Sequence, residues 1–161
     1  MNRNSPDVEI REALPEDADS IVAVLHQAFV EYESLYTAGG FSATALSAEK
    51  VLERMREGPM WVALSEGRTV GTASALETGE GLYIRGMAVV PQARGLRIGE
   101  LLLLGLEAFA ANAGCKKLIL STTPSLARAI RLYQKAGFQR VDEGPDNLVG
   151  TPLFTMTKLL E

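Results

Sequence analysis

From residue 81 onward the hydrophobic pattern alternates between strand and helix type in a way that few folds accommodate. "GLYIRGMAVV" (81–90) is strand-like, and from about residue 98 Ile98, Leu101, Leu102, Gly105, Leu106, Phe109, Ala110 and Ala113 share one helical face. "KKLILST" (116–122) is a continuous apolar run of buried-strand type. "PSLARAIRLYQKAG" (124–137) then opens a helix with Pro124 and Ser125 and closes it with Gly137.

Upstream, "MWVALSE" (60–66), "RTVGTASALE" (68–77) and 81–90 are three strands joined by turn-like "GR" and "TGEG", which predicts an antiparallel meander. A short strand, "VEIREA" (8–13), precedes them. A helix follows it, opened by Pro15, Glu16 and Asp17, with Ile21, Leu25, Ala28, Phe29 and Tyr32 on one face. "ESLYTAGGFSATAL" (33–46) reads as a loop broken by Gly39-Gly40, and "SAEKVLERMRE" (47–57) as a helix capped by Ser47 and ended by Gly58-Pro59. "FQRVDEG" and "TPLFTMTKLL" close the chain as strands around a loop, "PDNLVG". Helix–strand–helix alternation grafted on a meander predicts an α/β (α+β) sandwich, a mixed sheet with helices on both faces.

The expectation is one domain spanning 1–161, long enough to bury a substantial core. A net charge of −4 argues against general nucleic-acid or membrane-surface binding. The longest apolar run, Leu101 to Ala111, is too short for a bilayer and carries Glu107. No signal-peptide pattern opens the chain, and Cys115 is the only cysteine, so a cytoplasmic location is expected. With His26 the only histidine, no metal site of several His or Cys ligands is expected, and a Ser–His–Asp triad would need a histidine in mid-helix.

The junction between the meander and the long helix is unusual. The first turn of a helix carries four N–H groups without intrahelical partners, and Ser, Thr, Asp or Asn normally supplies an acceptor. "ARGLRIG" offers none and adds two cations, Arg94 and Arg97, at the positive end of the dipole. That arrangement costs roughly 0.3–1 kcal/mol per exposed cation, and becomes favourable when an anion sits on the N–H groups. Gly95 and Gly99 would let a ligand approach the backbone. Neither a P-loop nor the G-x-G-x-x-G fingerprint fits these residues, which disfavours ATP and NAD. The alternative is a plain strand–helix turn with solvated arginines.

Three stretches in order carry a resemblance to a family. "RGMAVVPQARG" (85–95), "RGLRIG" (94–99) and "ARAIRLYQKAGF" (127–138) are similar to the fourth-strand, R/Q-x-x-G-x-G/A and A-x-x-L-Y-x-K-x-G-F motifs of the GNAT superfamily of N-acetyltransferases. The resemblance implies a mostly antiparallel sheet of about seven strands, splayed between the fourth and fifth. It implies acetyl-CoA as cofactor, contacted by Met87, Ala88 and Val89 along the pantetheine arm and by Arg94, Gly95, Leu96, Arg97, Ile98, Gly99 and Glu100 at the pyrophosphate. It also implies that Tyr133 is the general acid, since a phenol can protonate a departing thiolate; otherwise Tyr133 is a core aromatic. Three positions depart from the pattern: Arg97 replaces a glycine, Leu126 an asparagine, and Tyr83 a glutamate base. An amine arriving neutral, or a base acting through water, is then the expected route.

An ammonium acceptor is attracted by carboxylates and aromatic faces. Glu31, Tyr32, Glu33 and Tyr36 near the first helix, Glu77 and Tyr83 on the meander, and Asp142, Glu143 and Asp146 in the last loop are the candidates, each also readable as ordinary surface. Arg128, Arg131 and Lys135 form a solvated basic face. The scattered acidic residues favour a small-molecule or amino-acid-like acceptor over a basic peptide. A protein N-terminus or lysine acceptor, a non-catalytic acyl-CoA sensor, and a plain phosphate-binding fold are the competing readings. A homodimer is open.

Overall fold

The structure, a computed structural model, describes residues 7–160, so both ends of the expected 1–161 domain lie outside it. In chain order the elements are β1 (Val8–Glu12), α1 (Ala18–Phe29), α2 (Ala38–Thr44), α3 (Ala48–Glu57), β2 (Met60–Ser65), β3 (Arg68–Thr78), β4 (Gly81–Val89) and α4 (Ile98–Asn112). They continue with β5 (Lys117–Thr122), α5 (Ala127–Lys135), β6 (Gln139–Val141), β7 (Asn147–Leu148), β8 (Thr151–Pro152) and β9 (Phe154–Leu159). Seven strands form one sheet in the order β1-β2-β3-β4-β5-β9-β6, and β7-β8 form a small ribbon. Every neighbouring pair is antiparallel except β4–β5, which is parallel. This is the mixed, mostly antiparallel sheet that the sequence predicts.

The register assigns the faces. A Cβ on Gly71 would lie 2.9 Å from Ile98 Cγ2 of α4, so the Gly71, Ala73 and Ala75 side of β3 faces α4. Thr72 and Ser74 on the other side lie beside Ile21 and Leu25 of α1 and Val51 of α3. Helices therefore cover both faces, and the i, i+4 series Ile98, Leu102, Leu106, Ala110 is buried at 2% exposure or less. Two positions on α4 differ from the sequence reading: Leu101 is exposed and Leu103 is buried in its place.

Other boundaries also need correction. The first helix is entered through a 3₁₀ turn, Pro15–Asp17, and ends at Phe29; Val30–Leu35 winds on as 3₁₀. Buried Asp17 ties this start down, accepting from Arg11 at 2.8 and 3.0 Å and from the Leu14 N–H at 2.7 Å. The expected loop 33–46 contains α2, because Thr37 caps it by accepting from the Gly40 N–H at 2.9 Å. Gly39 and Gly40 are there for close approach: a Cβ on either would collide with Val149 or Thr151 of the β7-β8 ribbon, which lies within the expected loop 145–150 and the start of 151–160. The turn between β2 and β3 is Glu66-Gly67, both at positive φ, as a tight hairpin of right-handed twist requires. The last long helix starts at Ala127, later than Pro124-Ser125 suggest, with Leu126 at its N-cap.

Candidate active site

The sheet opens in its middle. β4 and β5 pair only over Leu82–Leu118, Tyr83–Ile119 and Ile84–Leu120, although β4 runs on to Val89 and β5 to Thr122. A bulge starts the divergence: Ala73 opposes Met87 and Ala75 opposes Ile84, leaving Arg85 and Gly86 (φ 87°) against Ser74 alone. The Ser74 hydroxyl and Arg54 Nη1 (3.0 Å) both donate to the Arg85 carbonyl, which fixes the bulge. Met87, Ala88 and Val89 beyond it are paired with β3 on one side and have no strand on the other. That free edge suits an extended chain bearing amides, which would add like a strand.

The loop after β4 leads to the start of α4. A 3₁₀ turn, Pro91–Ala93, is followed by Arg94, by Gly95 at φ 91°, and by Arg97 as N-cap at φ 62°. No side chain caps the helix, so the N–H groups of Ile98, Gly99 and Glu100 are available to a ligand. A Cβ on Gly95 would meet nothing within 4 Å, which leaves open space over the loop. Gly99 has a different duty from the one its sequence position suggests: a Cβ there would lie 2.7 Å from Leu132 Cδ2, so it admits α5 against α4. Arg97 points outward and is chelated by Glu100, Nε and Nη2 donating to Oε2 at 2.9 and 2.7 Å. Its left-handed backbone explains why glycine is the usual residue there. Arg94 is ion-paired with Glu31 of the 3₁₀ segment. Open space, free donors and a cation at one end of a free strand edge fit a group that carries a pyrophosphate and an amide arm.

Tyr133 is 8% exposed on the inner side of α5, edge-on to Phe138 at 5.8 Å between centroids. Burial pushes its phenol up to about 12, with a smaller contribution from Tyr36. Tyr36 lies after α1, is itself raised to about 12 mainly by burial, and feels Tyr32 in turn. Tyr36 is therefore near enough to Tyr133 to disfavour its phenolate. Three of the sequence-predicted tyrosines, Tyr32, Tyr36 and Tyr133, thus lie near one another.

Tyr83 stands at the throat of the gap, its hydroxyl donating to Ser121 Oγ of β5 at 3.0 Å. From there a groove of about 200 Å³ runs along the sheet, floored by Tyr83, Ile119, Thr155 and Thr157 and rimmed by Glu80, Lys117 and Glu143. Thr155 is 4% exposed and its Oγ1 has no hydrogen-bond partner. Glu77 stands apart, opposite Leu82 and so on the other face from Tyr83. Asp142 and Asp146 are exposed near the groove's loop, and Glu33 is exposed. His26 is exposed on α1, edge-on to Phe41, and no cluster of three metal-ligating residues occurs among the described residues.

Sequence reasoning did not single out Ser121, Arg54 or Arg85. Ser121 follows an apolar run and reads as its end; only the parallel register brings it opposite Tyr83's strand. Arg54 lies in the last turn of α3, where a cation is ordinary for the dipole.

The acetyltransferase (GNAT) family matches residues 23–138, well over half of the chain, and the chain belongs to that family. The family's chemistry is acyl transfer from a coenzyme A thioester, for which the free strand edge and uncapped helix start are suited. Among curated proteins, an "IAA acetyltransferase" of Azospirillum brasilense is 41% identical over 86 residues, 52% of this chain and 55% of the other. The match thus spans about half the length of that relative. Among solved structures, the PaiA N-acetyltransferase of Thermoplasma acidophilum in complex with coenzyme A superposes with a TM-score of 0.82 at 20% identity, covering 96% of this chain and 99% of that one. The ribosomal-protein-S18-alanine N-acetyltransferase of Escherichia coli gives 0.75 at 17%, covering 95% and 94%. At such identities these two likenesses establish the fold. No helix among the described residues is long and apolar enough to cross a membrane.

Proposed function

We propose that this chain is an acetyl-CoA-dependent N-acetyltransferase, one domain over 1–161, acting on a small-molecule amine by direct attack. The observation that carries this reading is the gap between β4 and β5, where a free strand edge leads to an uncapped helix start. Met87 to Val89 would hold the pantetheine arm and the backbone of Arg94 to Glu100 the pyrophosphate. When bound, acetyl-CoA supplies an acetyl thioester whose transfer expels a thiolate.

The protein's own groups meet the remaining needs. Tyr133 keeps its proton throughout the neutral range, because its burial disfavours the phenolate, and serves as the donor. Tyr83 and Ser121, hydrogen-bonded across the throat, replace the family's carboxylate with hydroxyls that can pass a proton by way of water or position an amine that arrives neutral. The groove leading to them is of the size for a small molecule. A small acceptor is favoured also because the Azospirillum relative bears a small-molecule acetyltransferase name.

The test is thiol release from acetyl-CoA with an amine panel. Release is expected, and Tyr133→Phe should lower it by about a hundredfold or more while leaving CoA affinity within twofold. Tight CoA binding with no release on any amine would point to a sensor instead.

A further inference from the structure

We infer that Arg54 and Arg85 form an anion subsite for the acceptor, so that the preferred amine also carries a carboxylate. This rests on the acetyltransferase reading and deepens it.

The two arginines lie together beside the bulge, Arg54 Nη1 donating to the Arg85 carbonyl at 3.0 Å. Arg54 reaches in from α3 and lies over Gly86, where a Cβ would come within 3.2 Å of Nη1. Arg85 extends from β4 on the same face, and Arg54 is held below its ordinary value mainly by burial and next by the charge of Arg85. Their compensation is thin. Arg85 Nη2 meets Glu57 at 3.4 Å, but that carboxylate is 53% exposed whereas the Arg85 side chain is 18% exposed. The carboxylate therefore sits at the solvent end. At the inner end Arg85 Nε is buried with no hydrogen-bond partner, and Arg54 Nη1 is spent on a neutral carbonyl.

Two largely buried cations against one exposed carboxylate, with an orphan N–H, is a costly arrangement unless an anion completes it. The crevice beside them, about 10 Å³ in volume, has Arg54, Arg85 and Ser74 on one side and apolar Ile21, Leu25 and Val51 on the other. A single oxygen atom fits it and a larger body does not. A ligand carboxylate would insert one oxygen there and keep the rest of the molecule outside, and guanidinium pairs match carboxylates in geometry.

The position suits an acceptor and not the cofactor. Arg54 and Arg85 lie on the face of α1 and α3, beside Tyr83 at the throat, whereas the uncapped start of α4 belongs to the other face. An amine near Tyr83 would have its carboxylate within reach of this pair.

Kinetics with matched acceptors provide the test: amino acids against their carboxamides, by thiol release. The carboxylates should be favoured at least tenfold in kcat/KM, the scale of one charge-assisted hydrogen bond. Arg85→Gln should erase most of that preference through KM, with CoA affinity unchanged, and Arg85→Lys should restore part of it; Arg54→Gln, which also removes a bond that fixes the bulge, should erase the preference as well. Glu57→Gln, at an exposed position, should strengthen carboxylate binding by about twofold. Calorimetry of N-acetyl amino acids against the protein–CoA complex reads the same subsite without turnover. They should bind wild type tightly and either glutamine variant at least tenfold more weakly. Carboxamides used equally well, a preference that survives both substitutions, no binding of the N-acetyl amino acids, or loss of CoA affinity in Arg85→Gln would each overturn the subsite. Absence of turnover together with arginine-dependent binding of the N-acetyl amino acids would instead sink the enzyme reading and leave the subsite standing.

Discussion

Helices α3 and α4 begin in opposite ways. α3 has Ser47 at its N-cap, accepting from the Lys50 N–H at 3.3 Å, Glu49 in its first turn, and Arg54 and Arg56 in its last. Cap and charges all favour the helix. α4 has an arginine at its N-cap in left-handed conformation, no capping side chain, and no basic residue in its last turn. Its neighbouring cations are neutralised locally, Arg97 by Glu100 and Arg94 by Glu31. α3 is thus complete in itself, and α4 is held by its burial against the sheet while its first N–H groups stay free. The difference separates a start completed by its own side chains from one whose N–H groups we propose a ligand completes.

The sharpest way to break this comparison is to remove a cation from each start. Arg94→Ala should weaken CoA binding roughly ten- to hundredfold, the scale of one or two charge-assisted hydrogen bonds. Lys50→Ala, in the first turn of α3, should change it by less than twofold. Equal effects on CoA affinity by calorimetry would dissolve the distinction.

The cap gives the next contrast. Ser47→Ala should cost about 1 kcal/mol in denaturant unfolding with CoA affinity untouched. At α4 the corresponding gain is available: Arg97→Gly relieves the left-handed backbone and should stabilise by about 0.5 kcal/mol, after the entropy that glycine costs in the unfolded chain. CoA affinity should survive that change, because Arg97 offers the ligand its backbone and not its outward side chain. A large loss of affinity in Arg97→Gly would place the guanidinium on the cofactor.

A further contrast concerns the phenols of Tyr36 and Tyr133, both raised by burial. Tyr133 and Tyr36 sit near 12 when folded against about 10 when unfolded, so between these values the folded chain holds protons that the unfolded chain has lost. Their contribution is fully present below about pH 10 and is lost as pH rises through about 12. The melting temperature should therefore fall above pH 10, and Tyr133→Phe should flatten that fall. An identical slope in the variant would mean that Tyr133 is solvated.

Much of this was legible in the chain because period and cap signals are local. The meander, the buried strand 116–122 and the long helix all follow from residue spacing, and "RGLRIG" shows its missing cap without any coordinates. The errors arose where a distant segment decides the local structure. Gly39-Gly40 looks like a break, yet Thr37 caps a helix there and the ribbon at Val149–Thr151 presses against the glycines. Gly99 looks like a ligand-facing residue until Leu132 is brought against it. The Tyr83–Ser121 bond and the Arg54–Arg85 pair need the β4–β5 register and the bulge, neither of which any spacing encodes.

The central claim is that a pyrophosphate occupies the place of the missing cap on α4. Calorimetric titration with CoA and with pantetheine, which shares the arm but lacks the pyrophosphate, tests it most directly. CoA should bind at least a hundredfold more tightly, about 2.7 kcal/mol or more, and Arg94→Ala should narrow that ratio. Equal affinity for the two ligands would contradict the account.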